Sequence, residues 1–241
     1  MHPMQNRLSK LLALNRSAPR TYRIEAAGDA ATIYLYDVIG YDWWTGGGVT
    51  AKQFAHDLQA IKADTIHLRV NSPGGDVFEG RAMVAALQAV QAKVIAHIDG
   101  LAASAASFLV MHASEIEMTD GAFMMIHNGW TIALGDRHAM LETAALLEKI
   151  DAAIVDDYLK RANLDRETLA AWMDAETWLT ASEAVDNGFA DRIAQAVDGA
   201  SARAWSVAAY DHAPVALTES DHEAEHAHRL RRLALVESSH A

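Results

Sequence analysis

The fold class is decided by residues 65–99, which read TIHLRVNSPGGDVFEGRAMVAALQAVQAKVIAHID. The segment TIHLRV predicts a buried strand, and NSPGGD predicts a turn. VFEGRAMVAALQAV carries an apolar stripe at helical spacing, and KVIAHID predicts another strand. A strand, a crossover helix and a second strand are typical of parallel pairing, so this stretch predicts an α/β fold.

The sequence on the amino-terminal side continues this pattern. Residues 21–40 predict two short strands around a turn at Gly28 and Asp29. Thr50 and Gln53 form a capping-box pattern, which predicts that an amphipathic helix starts there. We therefore expect the α/β core to begin near residue 21.

The carboxyl-terminal side alternates in the same way. We expect a turn at Gly100, a helix over residues 101–113, strand within residues 115–130 and a long helix from about Asp136 to Ala162. Residues 164–193 predict two short helices and a turn that close the core. The long helix has an apolar face at three- and four-residue spacing, formed by Met140, Ala144, Leu147, Ile150, Ile154 and Tyr158.

Length and composition indicate one sizeable core with appendages. The chain has 241 residues, of which 51% are hydrophobic. The pattern predicts a core domain over residues 21–197 and a flexible extension over residues 1–20. Residues 198–241 mix small, polar and charged residues, which predicts a partly disordered tail.

Charge and composition exclude several classes of function. A net charge of −12 argues against nucleic-acid binding, which needs a basic surface. The absence of cysteine excludes disulfides, thiolate metal sites and cysteine nucleophiles. We expect no membrane span, because no apolar run is long enough. Tail histidines at 222, 226 and 228 are more simply solvated than metal-bound, so we expect no metal.

Two segments place chemistry-bearing groups at turns. The turn at residues 71–76 lets backbone approach a ligand, since glycine lacks a Cβ, and the amide of Gly75 is a candidate oxyanion donor. Ser104 is expected in the first turn of a helix, where free N–H groups face outward. Its hydroxyl is a candidate nucleophile, with the amide of Ala105 as a second donor. An ordinary turn and a packed helix remain the alternatives.

A serine nucleophile needs a base and an orienting acid. His127 follows an apolar strand, so it can reach the sheet edge where Gly75 and Ser104 are expected. Glu176 and Asp174 are the candidate acids, although both can equally be solvated charges.

Four motifs in this order resemble those of the Clp-type serine peptidases. They are NSPGGD, GLAAS, MMIHN and ETWLTASEAVDNGFAD, and the resemblance covers roughly residues 33–193. That family has an Asn-Ser-Pro-Gly-Gly turn, a Gly-x-Ala-Ala-Ser nucleophile, a Met-Ile-His base and an Asp-Arg-Phe-Leu-Ser-Ala-x-Glu-Ala block. The third member of the catalytic triad, normally aspartate, falls on Glu176, with Asp174 as the alternative.

The resemblance implies a ClpP/crotonase-like spiral of ββα units, with the helix from Asp136 as a handle. It implies Ser104 as nucleophile, His127 as base, Gly75 and Ala105 as the oxyanion hole, and no cofactor. It also implies a polypeptide substrate and a homo-oligomeric ring, either a heptamer or a double ring. Residues 1–40 do not resemble the family's axial-loop segment, which argues against docking to an AAA+ unfoldase.

One subgroup is more similar than the rest. The stretch YDVIGYDWWTGGGVTAKQF, residues 36–54, and the extended ends resemble the Clp-like peptidases of phages and prophages. That resemblance implies processing of capsid or scaffold proteins during head maturation, with degradation of unfolded polypeptides as the other substrate class. It places the protein in the bacterial cytoplasm or the phage prohead.

Three other functions compete with this hypothesis. Signal peptide peptidase A has a similar turn and an Ala-Ala-Ser but uses lysine as base, whereas His127 stands in the Clp context here. A non-catalytic ring component is suggested by Glu176 in place of aspartate, and the presence of Ser104 with His127 argues against it. Crotonase-type acyl-CoA chemistry does not require that pair.

Overall fold

The computed structural model describes residues 7–42, 46–194 and 205–218. Its helices are α1 (Arg7–Leu14), α2 (Ala51–Ala60), α3 (Val77–Ala89), α4 (Ala105–Val110), α5 (Arg137–Tyr158), α6 (Arg166–Asp174), α7 (Ala181–Asp186) and α8 (Val215–Thr218). Its strands are β1 (Thr21–Ala27), β2 (Ala30–Tyr36), β3 (Thr65–Ser72), β4 (Lys93–Ala103), β5 (Glu115–Thr119), β6 (Phe123–Ile126), β7 (Thr177–Thr180) and β8 (Arg192–Ala194).

The strands form one mixed sheet, which confirms the predicted α/β class. The order along the sheet is β1-β2-β3-β4-β5-β8, and β6 pairs with the second half of β4 and with β7. The pairs β1–β2 and β6–β7 are antiparallel, and the other pairs are parallel. Crossover helices bury their apolar sides against the sheet, as parallel pairing requires.

The predicted turn at Gly100 and helix over residues 101–113 are wrong. Strand β4 runs on through Gly100 to Ala103, and the helix occupies only Ala105–Val110. The cause is pairing, because Leu101 to Ala103 lie in parallel register with Phe123 to Met125 of β6. A run of small apolar residues suits a fully buried strand as well as a helix, so its sequence does not separate them.

The end of the core also differs from expectation. Residues 164–193 contain β7 and β8 in addition to the two predicted helices α6 and α7. Strand β7 has only four residues, and its formation depends on the antiparallel partner β6. The long helix α5 is confirmed with shorter bounds. Only its last turns are buried, at Ile154, Val155, Asp157 and Tyr158.

The segments next to the core pack on each other. Leu11 and Leu12 of α1 join Trp205, Val207 and Tyr210 in a second buried cluster. Asn15 links them further, since its side chain donates to Ser206 O at 2.8 Å and accepts from Ser206 N at 2.6 Å. Residues within 7–20 and 205–218, which the sequence assigns to an extension and a tail, therefore contact each other. The tail histidines lie outside the described residues.

None of the helices in the described ranges has both the length and the apolar character that a bilayer crossing requires.

Candidate active site

The turn between β3 and α3 depends on its two glycines. Gly74 has φ of +88° and Gly75 has φ of +152°, in the left-handed half of conformational space. A Cβ on Gly75 would lie 1.9 Å from Ile39 O, so no side chain fits there. The hydroxyl of Ser72 holds the turn, donating to Asp37 O at 2.6 Å and accepting from Gly74 N at 3.1 Å.

Ser104 lies at a strained turn between β4 and α4. Its φ is +54° and its ψ is −121°, an unfavourable conformation for a residue with a side chain. The backbone is held on both sides. Ser104 N donates to Met125 O at 3.0 Å, and Ser104 O accepts from Ser107 N at 2.9 Å and Ser107 Oγ at 2.6 Å. Ser104 is thus the N-cap of α4 rather than a residue within it.

His127 lies beside this serine. The parallel register of β4 and β6 places Ala103 opposite Met125, so Ser104 and His127 leave the sheet at the same carboxyl edge. Nε2 of His127 lies 2.7 Å from Oγ of Ser104, and the imidazole is buried. At this distance, a serine hydroxyl donates to a neutral imidazole, which is the arrangement that activates a nucleophile.

The amides of Gly75 and Ala105 flank the serine. A Cβ on Gly74 would lie 2.7 Å from Ser104 Cβ and 3.0 Å from Ala105 N, so the glycine turn lies directly against the start of α4. Among the turn, loop and cap hydrogen bonds of the described residues, no backbone carbonyl accepts from the N–H of Gly75 or from the N–H of Ala105. Both donors are therefore available to a negatively charged oxygen beside Ser104.

The two candidate acids lie in different environments. The antiparallel register pairs Ile126 with Thr177, and its extension by one residue sets Glu176 opposite His127. Glu176 is buried, with 6% of its surface exposed. Its φ is +52°, and among the described residues only Ser104 is another non-glycine with positive φ. Strain at two functional candidates is typical of active sites.

Asp174 lies outside this cluster. It is exposed and accepts from Nδ2 of Asn128 at 2.6 Å. Burial raises the pKa of the neighbouring Asp151, the N–H of Gly129 opposes this, and the charge of Asp174 raises it further. Asp174 thus belongs to a surface depression between α5 and α6.

Residues 205–210 also contribute to the site, which the sequence motifs do not predict. Trp205 Nε1 donates to Asn71 O at 2.8 Å, and Tyr210 OH donates to Pro73 O at 2.6 Å. The Tyr210 ring stands perpendicular to the His127 ring, with 5.5 Å between centroids. The available signal was the run of apolar and aromatic residues from Trp205 to Tyr210 within a polar tail.

A largely apolar cavity of about 300 Å³ opens beside the serine and histidine. Its wall on the side of α5 is formed by Leu146, Leu147, Ile150, Ile154 and Tyr158. Tyr158 OH lies 2.7 Å from Ser107 Oγ, which itself donates to Ser104 O. The cavity wall and the backbone of Ser104 are therefore connected by hydrogen bonds.

The part of the chain that the structure describes contains no group of three or more histidine, aspartate or glutamate side chains able to hold a metal ion.

Comparison with known proteins identifies the family to which this sequence is similar. A family model described as Clp protease matches residues 47–197, more than half of the chain. ATP-dependent Clp protease proteolytic subunit 1 of Chlamydia muridarum is 33% identical over 129 residues, which cover 52% of this chain and 67% of that protein. The same subunit of Chlamydia abortus is 34% identical over 129 residues, with the same coverage.

A more distant relative extends this similarity. The ATP-dependent Clp protease proteolytic subunit of Borrelia garinii is 28% identical over 130 residues, which cover 53% of this chain and 67% of that protein. The matched region contains the glycine turn, Ser104, His127 and Glu176. The mostly parallel sheet with its crossover helices is the ClpP-like fold that the resemblance implied. The chain therefore belongs to the Clp protease family of serine peptidases.

Proposed function

We propose that this protein is an endopeptidase that cleaves polypeptides through an acyl-enzyme formed on Ser104. Oγ of Ser104 attacks the peptide carbonyl carbon while Nε2 of His127 accepts the hydroxyl proton. The N–H groups of Gly75 and Ala105 stabilise the oxyanion. His127 then protonates the leaving amine as the C–N bond breaks. Water, deprotonated by the same imidazole, hydrolyses the ester and restores the serine.

One observation carries this proposal, namely the 2.7 Å separation of Ser104 Oγ and His127 Nε2 at a strained turn flanked by two amides. Glu176 is the acid that orients His127. Its burial and its place in the β6–β7 register favour it over the exposed Asp174. The longer glutamate side chain serves the same purpose as aspartate, because a carboxylate beside the imidazole stabilises the imidazolium.

The preferred substrate has an apolar side chain next to the cleaved bond. The cavity beside Ser104 is lined mainly by aliphatic and aromatic side chains and has room for one large residue. Burial of an apolar side chain there contributes favourable free energy in proportion to the area removed from water. The carboxylate in the lining, Asp76, already accepts the N–H groups of Phe78 and Glu79, so a charged substrate side chain would lose hydration there with little compensation.

The active form is a homo-oligomeric ring, a heptamer or a double ring. Helix α5 and the loop before it expose large apolar side chains, including Leu134 at 81% and Leu141 at 57%. An amphipathic helix with such a surface is typical of a contact with another copy. The relatives in Chlamydia muridarum and Borrelia garinii are named as subunits of an ATP-dependent protease. Residues 1–40 differ from the family's axial-loop segment, which argues against docking of an AAA+ unfoldase.

The biological substrates are phage capsid or scaffold proteins, and the protein acts in the bacterial cytoplasm or the phage prohead. The similarity of residues 36–54 to phage-encoded peptidases supports this assignment. Residues 7–20 and 205–218, which pack on each other outside the family match, are further features of this chain. Degradation of unfolded polypeptides is the alternative.

Hydrolysis of an internally quenched peptide by the full chain tests the activity. We expect Ser104→Ala and His127→Ala each to lower kcat at least about 10³-fold. Ser114→Ala and His56→Ala are matched controls at exposed positions and should retain wild-type kcat. Full activity in Ser104→Ala would refute the proposal. Full activity in His127→Ala alone would favour a serine–lysine mechanism, and an inactive wild-type ring would favour a structural role.

A further inference from the structure

Tyr210 contacts both halves of the candidate catalytic machinery. Its hydroxyl donates to Pro73 O at 2.6 Å, immediately before the two glycines of the oxyanion turn. Its ring packs perpendicular to that of His127, with centroids 5.5 Å apart. A single side chain therefore touches the base and the backbone that carries the Gly75 amide.

The ring of Tyr210 is itself held in place. Trp178 of β7 packs against its other side, with centroids 5.8 Å apart and planes at 75°. The residue is buried, with 9% of its surface exposed. A buried aromatic ring between two other rings has few accessible rotamers, so it can restrain the orientation of the imidazole.

The backbone on both sides of Tyr210 is also anchored to the site. The carboxylate of Glu176 accepts from Asp211 N at 3.1 Å and from His212 N at 2.7 Å. Upstream, Trp205 Nε1 donates to Asn71 O at 2.8 Å. Hydrogen bonds to a charged acceptor are stronger than neutral ones, so the Glu176 contacts fix the segment firmly.

We propose that Tyr210 is a positioning residue, which holds the imidazole of His127 and the oxyanion turn in one mutual geometry. Residues 205–218 lie outside the matched family region, residues 47–197, so the segment that carries Tyr210 is not part of the family match. This inference rests on the proposed peptidase function. It predicts that changes at Tyr210 act on the chemical step rather than on substrate binding, because Tyr210 does not line the apolar cavity.

Kinetics of peptide hydrolysis by the full-length chain test this role. Tyr210→Phe keeps the ring and removes the hydroxyl that donates to Pro73 O, so we expect kcat to fall about tenfold with KM unchanged within twofold. Tyr210→Ala removes both contacts and should lower kcat about 10²-fold or more. Tyr34→Phe is the matched control, since its hydroxyl bonds to exposed Glu25 far along the sheet, and should retain wild-type kcat.

The role of Tyr210 is decided by comparing Tyr210→Phe with the wild type and the Tyr210 variants with Ser104→Ala. Wild-type kcat in Tyr210→Phe, or a change in KM with kcat unchanged, would overturn the positioning role. If Tyr210→Ala does not fold by circular dichroism, Tyr210→Phe, which retains the packed ring, decides alone. Ser104→Ala in the same assay separates the two proposals. Activity in Ser104→Ala refutes the peptidase mechanism. If Ser104→Ala is inactive and the Tyr210 variants are fully active, only the positioning role of Tyr210 is refuted.

Discussion

Oγ of Ser104 and Nε2 of His127 lie 2.7 Å apart although 22 residues separate them in the sequence. The sheet brings them together, because Ala103 and Met125 are partners in the parallel register of β4 and β6. The geometry of the pair therefore depends on backbone pairing and on the turns that follow each strand. Changes to those turns should affect activity more than changes of similar size elsewhere.

Gly74 provides the first test. A Cβ there would lie 2.5 Å from Ala103 O and 2.7 Å from Ser104 Cβ. We expect Gly74→Ala to displace the serine and lower kcat at least about 10²-fold. Gly121→Ala is the matched control, because Gly121 has a similar φ of +83° and open space around it. The free energy of unfolding of Gly121→Ala should be lower by about 1 kcal/mol, with kcat unchanged. Equal kcat in the two variants would contradict this reasoning.

The identity of the acid is tested by two isosteric changes. Glu176→Gln replaces one carboxylate oxygen with an NH₂ group, which would face the backbone N–H of Asp211 or His212. It also removes the charge that favours the imidazolium, so we expect kcat to fall at least about tenfold. Asp174→Asn changes only an exposed contact with Asn128 and should stay within twofold of wild type. The opposite ranking of these variants in peptide hydrolysis would favour Asp174.

The hydrogen bonds behind Ser104 should contribute to stability. Ser107→Ala removes the Oγ that donates to Ser104 O and leaves Tyr158 OH, which is fully buried, without that partner. We expect the free energy of unfolding to fall by about 1–3 kcal/mol. Adding Tyr158→Phe removes the hydroxyl that Ser107→Ala leaves without its partner. The double variant should therefore lose less free energy of unfolding than the sum of the two single variants. Strict additivity in urea denaturation would argue against a coupled pair.

The apolar cavity predicts a preference for apolar substrate side chains, and a substitution in the cavity wall should alter this preference. Ile150→Trp fills part of the space beside Ser104, so we expect kcat/KM to fall about tenfold for peptides with leucine or phenylalanine before the cleaved bond. Peptides with alanine there should be cleaved as before. Ile193→Trp places the same side chain at an exposed position of β8, away from the cavity and from the proposed ring contact, and should leave the preference unaltered. An equal loss for all peptides would mean that the cavity does not receive that side chain.

A pH dependence of stability follows from His97, whose Nδ1 lies 2.9 Å from Glu117 Oε2. Burial lowers the pKa of His97 below its ordinary value of 6.5, the charge of Glu117 opposes this, and that of Arg69 adds to the lowering. The unfolded chain thus binds a proton at this site more readily than the folded chain. The free energy of unfolding should fall as pH drops through 6.5, and His97→Gln should reduce this decline. If urea titrations at pH 7.5 and 5.5 show the same fall in the free energy of unfolding for the wild type and for His97→Gln, the assignment to His97 is wrong.

The sequence predicts the α/β class because strand and helix periodicities alternate clearly from residue 65 to residue 99. It does not predict that β4 continues through Gly100, since the small apolar residues that follow suit either a strand or a helix. The pairing partner β6 decides between the two. The candidate residues Ser104, His127 and Gly75 lie together as the motifs predict. The sequence does not predict the place of Tyr210 in the site, because its contacts with Pro73 and His127 arise from tertiary packing.

Covalent labelling with a fluorophosphonate probe, followed by mass spectrometry of the modified peptide, tests the central claim most directly. The probe reacts only with a serine made unusually nucleophilic by its surroundings. We predict that the label attaches to Ser104 in the assembled wild-type protein and disappears in His127→Ala, while His56→Ala is labelled as wild type. Labelling of another serine, or no label on folded and assembled protein, would contradict an active serine–histidine site.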